Sequence, residues 1–203
     1  MTDANPTTDP VLERPMGIQA ALVRSILERY EHYDWTFQGF GFARTKIANV
    51  GRVHVWDSRL ATPLVSTMHT HPWPLKSTII SGELINQRFA ADAPGADIPY
   101  MRSRIATGEG GGLIGEPVPT LVSGDTPEFY TAGETYSQEP AEIHRTLAQD
   151  GTVTLIERPQ GPPLEEALVF WPAGTKWVSA EPIKSDWRLA QTIRYALDRW
   201  SAT

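Results

Sequence analysis

The chain of 203 residues contains no cysteine. Disulfide bonds and thiolate ligands are therefore excluded, so any transition-metal site must use nitrogen and oxygen donors. The sequence also lacks an apolar run near the roughly 20 residues that are needed to cross a bilayer. We therefore expect no membrane partner. Residues 1–15 are polar and lack the apolar core of a signal peptide, which predicts a flexible leader on a cytoplasmic protein.

Positive charge is scarce as well. The 18 lysines and arginines are outnumbered by 24 aspartates and glutamates, which gives a net charge of -6 and a pI near 5.4. Because binding to a phosphate backbone needs a concentrated basic surface, we expect no nucleic-acid partner. The 40% hydrophobic and 21% charged residues are typical of a globular protein. No shift in composition divides residues 16–203, which predicts one domain after the leader.

Three histidines form the most informative pattern in the sequence. His69 and His71 are one residue apart, so on a strand their side chains share a face and both imidazoles can reach one ion. An apolar run then leads to Ser81-Gly82, which predicts a hairpin turn. His144 follows on a second apolar-flanked strand. This context favours a metal site over the alternative, a pair of surface or capping histidines.

These motifs resemble the cupin superfamily, and within it the cysteine dioxygenase-like (thiol dioxygenase) branch. His69-Thr70-His71, the apolar strand and residues 82–89 are similar to the first metal motif of that family, and residues 136–145 are similar to the second. The resemblance covers residues 42–159. It implies an all-β fold, a jelly-roll barrel, with an iron ion held by His69, His71 and His144. It also implies that Arg44 grips the carboxylate of the substrate.

The sequence departs from the family at several positions. Most cupins add a glutamate to the histidines, but the corresponding position here holds Leu75 or Lys76, so we expect a three-histidine site. Without cysteine, the Cys-Tyr crosslink of some family members cannot form. The histidine and tyrosine that assist sulfur oxidation are replaced by Leu155 and Glu157, which argues against a thiol substrate.

Further elements follow from periodicity. Apolar residues at helical spacing predict an N-terminal helix at residues 17–33 and a C-terminal helix at residues 186–200, both packed outside the barrel. Residues 90–124 are irregular and rich in glycine, which predicts a flexible loop. Compared with the thiol dioxygenase family this region is longer, so the resemblance implies an insertion that covers the barrel mouth as a lid. Late strands are expected at residues 167–171 and 176–178.

Three further side chains are candidates for substrate binding. Trp73 follows the second histidine and is expected to wall the site. Arg44 would need an anionic partner if it points into the barrel, and either a substrate or an internal carboxylate could supply one. Arg88 shares a strand face with Asn86 and could reach substrate, although a half-exposed polar face gives the same pattern.

Two carboxylates are candidates for moving protons. Glu157 follows apolar residues, and burial would raise its pKa into the range of a general base; pairing with an arginine is the equal alternative. Glu142 shares a strand face with His144 and could be a fourth ligand or orient an imidazole; a solvent-facing carboxylate is the other interpretation. His54 and His32 could also be ligands. We instead expect His54 to be an ordinary strand residue and His32 to be a solvated residue in the last turn of the N-terminal helix.

The sequence therefore favours a non-haem Fe(2+) oxygenase that acts on a small polar or anionic molecule. Iron follows from the resemblance alone, since three nitrogens also accept Zn, Ni, Mn or Cu. One alternative is a metal-assisted hydrolase, isomerase or lyase in which Glu157 or Glu142 moves protons. Another is a ligand-binding cupin with a structural metal. Because cupins commonly pair through their edges, a homodimer is possible.

Overall fold

The computed structural model describes residues 16–62, 65–106, 112–124, 127–160, 164, 166–178 and 183–201. The predicted leader, residues 1–15, lies outside these ranges. The helices are α1 (Met16–Glu28) and α2 (Arg188–Ser201), with a 3-10 turn at Tyr30–His32. The strands are β1 (Trp35–Phe37), β2 (Phe40–Ile47), β3 (Gly51–Ala61), β4 (Met68–His69), β5 (Leu75–Ser81), β6 (Glu83–Ala91), β7 (Ile98–Ala106), β8 (Leu113–Gly124), β9 (Glu128–Thr131), β10 (Thr135–Gln138), β11 (Ile143–Ala148), β12 (Val153–Glu157), β13 (Glu166–Pro172) and β14 (Ile183–Lys184).

The strands form two antiparallel sheets of seven strands each. The first sheet has the order β10-β5-β12-β3-β2-β1-β14. The second has the order β11-β4-β13-β7-β8-β6-β9, and β11 pairs with β6 as well as with β4. The prediction of a mainly β protein with one helix near each end is therefore confirmed.

Both helices pack on one face of the first sheet. Val53, Val55 and Leu155 are at most 1% exposed and share a cluster with apolar residues of α1 and α2. Because side chains alternate along a strand, their neighbours face the other side of the sheet. The buried Asp57 carboxylate also accepts a hydrogen bond of 2.6 Å from Thr192, which ties α2 to β3. The helices thus leave the opposite face of this sheet free to line a site.

The turn at Ser81-Gly82 exists, but the predicted hairpin is wrong. β5 pairs with β10 and β12 in the first sheet, whereas β6 pairs with β8, β9 and β11 in the second. Gly82 has a φ of +84°, and a Cβ at this position would lie 2.8 Å from the Thr152 Cα. The glycine therefore lets the chain cross from one sheet to the other at a point where it passes close to the Thr152 backbone.

The prediction of a flexible loop is also wrong for most of residues 90–124; residues 107–111 lie outside the described ranges. Most of residues 90–124 form β7 and β8, which pair with each other, and β7 also pairs with β13. β8 is largely exposed, so its sequence lacks the apolar alternation by which strands are recognised. Arg102 and Arg104 lie there and form surface ion pairs with Asp92 and Glu166.

The predicted strand at residues 176–178 is not formed. That segment has no regular structure, and the last strand is instead β14, whose residues pair with β1 at the edge of the first sheet. The other late strand is confirmed, since β13 covers residues 167–171. A two-residue edge strand has too few residues to show a period in sequence.

We expect Gly82→Ala to destabilise the fold by roughly 1–3 kcal/mol, because alanine is strained at this φ and its Cβ would meet the Thr152 backbone. Gly95→Ala is the matched control, since Gly95 has a φ of +85° and open space around its Cβ position. Thermal and urea unfolding should show a larger loss for Gly82→Ala. Equal losses would mean that the crowding against Thr152 contributes nothing.

Candidate metal centre

Two antiparallel strands bring the three predicted histidines together. β4 pairs with β11 so that His69 lies directly opposite His144. His71 is two residues beyond His69, and the side chains of Thr67, His69 and His71 line one cavity, as the alternation predicted. One nitrogen from each histidine lies within 4.8 Å of the other two. The His71 and His144 Nε2 atoms are 3.1 Å apart.

Hydrogen bonds set the tautomers of two of these rings. The Thr67 carbonyl oxygen lies 3.0 Å from His69 Nδ1, and a carbonyl can only accept, so Nδ1 carries the proton. Asn86 Oδ1 lies 3.1 Å from His144 Nδ1, while Asn86 Nδ2 donates to the Glu128 carboxylate at 3.2 Å. His144 Nδ1 is therefore also the donor. In the neutral rings, both Nε2 atoms keep a free lone pair.

Burial keeps the three rings neutral. It lowers the pKa of His69, and lowers the pKa values of His71 and His144 well below the ordinary value. His144 is only 4% exposed. At this distance the His71 and His144 Nε2 atoms can share a proton in an N–H···N hydrogen bond or bind one metal ion together. Two imidazole nitrogens about 2.1 Å from one transition-metal ion lie roughly 3.0–3.4 Å apart, which fits the 3.1 Å separation.

A cavity of about 100 Å³ adjoins the histidines. Residues of both sheets line it, and they include aromatic rings, two arginines and a fourth histidine. No aspartate or glutamate is among the described residues of its wall. The lining residues are Gln38, Phe40, Phe42, Arg44, Arg52, His54, Trp56, Thr67, His69, His71, Trp73, Leu75, Tyr136, His144, Thr146 and Ile156.

Arg44 and Trp73 are in this wall. Trp73 lies against His71, with the ring centroids 4.9 Å apart. Arg44 donates to Thr36 Oγ1 at 3.4 Å and has no carboxylate partner among the residues described, so the alternative of an internal ion pair is not observed. Burial, together with the charge of Arg52, lowers the pKa of Arg44 to about 10. The guanidinium is therefore still charged at neutral pH and needs an anion.

Arg88 and Glu142 belong to a network behind the site and not to the cavity wall. Arg88 donates to Glu142 at 2.6 Å and to Glu128 at 3.3 Å. Glu128 in turn accepts from Asn86, the partner of His144. Asn86 therefore contacts a candidate metal ligand, and Arg88 neutralises the carboxylates that lie behind it. Neither Arg88 nor Glu142 reaches the cavity, because each is engaged in this network.

Glu157 is likewise not brought to the cavity. Ile156 lines the cavity, so the alternation of the strand turns the Glu157 side chain to the opposite face. That face is the one on which Leu155 packs against the helices. Glu157 lies opposite Lys76 in the sheet and is half-buried.

His54 lies in the cavity wall but outside the three-histidine group. Its ring stacks on Phe42 at 4.4 Å, and its Nε2 is buried without a hydrogen-bond partner. Arg52, two residues earlier on β3, lines the same cavity. Sequence analysis did not single out Arg52, although its period-two spacing from His54 places both side chains on one face. His32 is exposed in the 3-10 turn, as expected of a solvated helix end.

The chain matches no protein-family model, and a search of curated proteins gives no significant match to it. Within the described residues, no helix is both long enough and apolar enough to span a membrane. The case for function therefore rests on the site itself.

We expect His69→Ala and His144→Ala to lose stoichiometric metal while the fold is kept, because each removes one of three ligands. His32→Ala is the control, since His32 is exposed and does not belong to the three-histidine group. Elemental analysis after dialysis measures retention, and far-UV circular dichroism checks folding. Full retention of metal in His69→Ala or His144→Ala would contradict the ligand assignment.

We expect Asn86→Leu to weaken metal binding by about 10–100-fold, because His144 Nδ1 would lose its acceptor and the ring its fixed orientation. Gln87→Leu removes an amide from the other face of the same strand, where Gln87 accepts from Arg145. Metal affinity can be measured by competition with a chelator. Equal affinities in the two variants would show that Asn86 does not orient His144.

Proposed function

We propose that this chain is a cupin whose two sheets form a jelly-roll barrel. The antiparallel sheets support this, and so does β11, which pairs with both β4 and β6. The histidines come from β4, the segment after it, and β11, as in the two metal motifs of that superfamily. The cavity beside them is lined by residues of both sheets.

Within this fold we propose a non-haem Fe(2+) oxygenase that acts on a small anionic molecule. The observation that carries the proposal is a group of three histidine nitrogens close together, with no carboxylate in the described cavity wall. Such a donor set leaves the ion its full positive charge and open coordination positions. Bound there, ferrous iron would supply the redox chemistry by which dioxygen oxidises an organic substrate.

The side chains of the cavity then have distinct tasks. Arg44 holds the anionic end of the substrate by charge-assisted hydrogen bonds and so fixes its orientation. Phe42, Trp56 and Trp73 exclude water and pack on the body of the substrate. Tyr136 also faces the cavity, and burial raises its pKa, so its hydroxyl remains neutral and can donate a hydrogen bond.

The placement of the acids favours oxidation over proton-transfer chemistry. In the hydrolase, isomerase or lyase alternative, the sequence assigns proton transfer to Glu157 or Glu142. Glu142 is bound to Arg88, and Glu157 faces away from the cavity. Among the described cavity residues, no carboxylate is left for that role.

Anaerobic purification, reconstitution with Fe(2+) and an oxygen-electrode screen of small carboxylates test this proposal. We expect one iron per chain and oxygen uptake that depends on one class of carboxylate. His144→Ala is the control and should show neither. Tightly held zinc with no oxygen uptake by the iron-loaded protein would favour the hydrolytic alternative, and failure to bind any metal would favour a ligand-binding module.

A further inference from the structure

The hairpin of β2 and β3 presents three cross-strand pairs to the cavity side of the first sheet. Phe42 lies opposite Trp56, Arg44 opposite His54, and Lys46 opposite Arg52. The first pair is aromatic, the second combines a cation with an imidazole, and the third is cationic. Lys46 is exposed, so the ladder runs from an apolar end to a cationic end that meets solvent.

Arg52 is a second cation of the cavity and has no anionic partner among the described residues. It makes a cation-π contact with Trp73, with its Cζ 5.4 Å from the ring centroid. Arg158 contacts the same ring at 5.6 Å. Burial and the charge of Arg158 lower the pKa of Arg52. Two guanidinium groups, those of Arg44 and Arg52, thus line the cavity, and that of Arg158 lies near Arg52 on the Trp73 ring.

This clustering is unfavourable without a ligand. Like charges repel more strongly where water is excluded, and a divalent ion on the histidines would add to the positive charge. The His54 Nε2, directly across from Arg44, is also buried without a hydrogen-bond partner. A single carboxylate on Arg44 would compensate that guanidinium and leave Arg52, the other cation of the cavity wall, without an anionic partner.

We propose that the substrate carries two anionic groups on a short apolar or aromatic body, one held by Arg44 and the other by Arg52. The aromatic rings that line the same cavity match such a body, because aromatic faces pack on apolar surface. Arg52 is then the residue that separates dianions from monoanions. This inference rests on the proposed function for the role of Arg44, and it adds the class of substrate.

Isothermal titration calorimetry of matched pairs tests the assignment: butyrate against glutarate, and benzoate against terephthalate. The full chain is titrated both metal-free and loaded with Zn(2+), which is redox-inert. We expect each dianion to bind about 10–100-fold more tightly than its monoanion in both forms, because one more charge-assisted hydrogen bond is made. A preference for the dianion that persists in the metal-free protein cannot come from chelation of the zinc ion by the second carboxylate.

Variants then separate the two arginines. Arg52→Gln should bring the affinity for the dianion down to that for the monoanion and leave the monoanion unchanged, whereas Arg44→Gln should weaken both. Arg52→Lys keeps the charge and should keep most of the preference. Arg104→Gln, which removes a surface cation paired with Glu166, is the control and should change neither affinity. Circular dichroism verifies folding of each variant.

Several results would overturn the inference. These are equal affinities for dianion and monoanion in the unmodified protein, equal weakening of both by Arg52→Gln, or no binding of either dianion. None of them depends on metal loading or oxygen uptake. If the chain prefers dianions but binds no iron, the proposed oxygenase fails while the anion site stands.

Discussion

The structure depends on the pairing of two short segments, β4 and β11, which sets His69 opposite His144. That single register places imidazole lone pairs close together in a buried site, where protonation is disfavoured. With the Nδ1 atoms of His69 and His144 held as donors by Thr67 and Asn86, the Nε2 atoms are left facing the cavity. A transition-metal ion that prefers nitrogen ligands could bind all three rings, whereas a shared proton joins only His71 and His144.

The surrounding charges follow from the same constraint. The described carboxylates near the histidines are kept behind them, where Glu128 and Glu142 are neutralised by Arg88. The cations Arg44 and Arg52 are instead turned into the cavity. With a metal ion on the histidines, as we propose, the site would be positive through both the ion and the arginines and would favour an anion, and the aromatic wall would strengthen that preference by excluding water.

Much of the site could be predicted from the sequence because a strand has a strict period of two. His69, His71 and Thr67 share a face for this reason, and so do His144 and Thr146. The same rule places Ile156 and Glu157 on opposite faces, but sequence alone does not say which face meets the cavity. For that reason Glu157 was a candidate base until the packing of Leu155 against the helices decided its orientation.

Other features depended on long-range contacts that leave little trace in local sequence. The turn at Gly82 is visible, yet only the pairing partners of β5 and β6 show that it crosses between sheets. β8 is largely exposed and carries prolines, so its sequence predicts a loop. Its strand structure is recognised only from its pairing with β7. Asn86 contacts His144, which lies 58 residues later in the chain, so its role becomes visible only in the folded structure.

X-ray absorption spectroscopy of the metal-loaded protein tests the central claim most directly. Three imidazoles on one ion predict a shell of nitrogen atoms at a metal–nitrogen distance of about 2.1 Å, with the multiple-scattering signature of three histidine rings per metal. A shell of oxygen atoms alone, or a single imidazole per metal, would contradict the assignment of His69, His71 and His144 as the ligands.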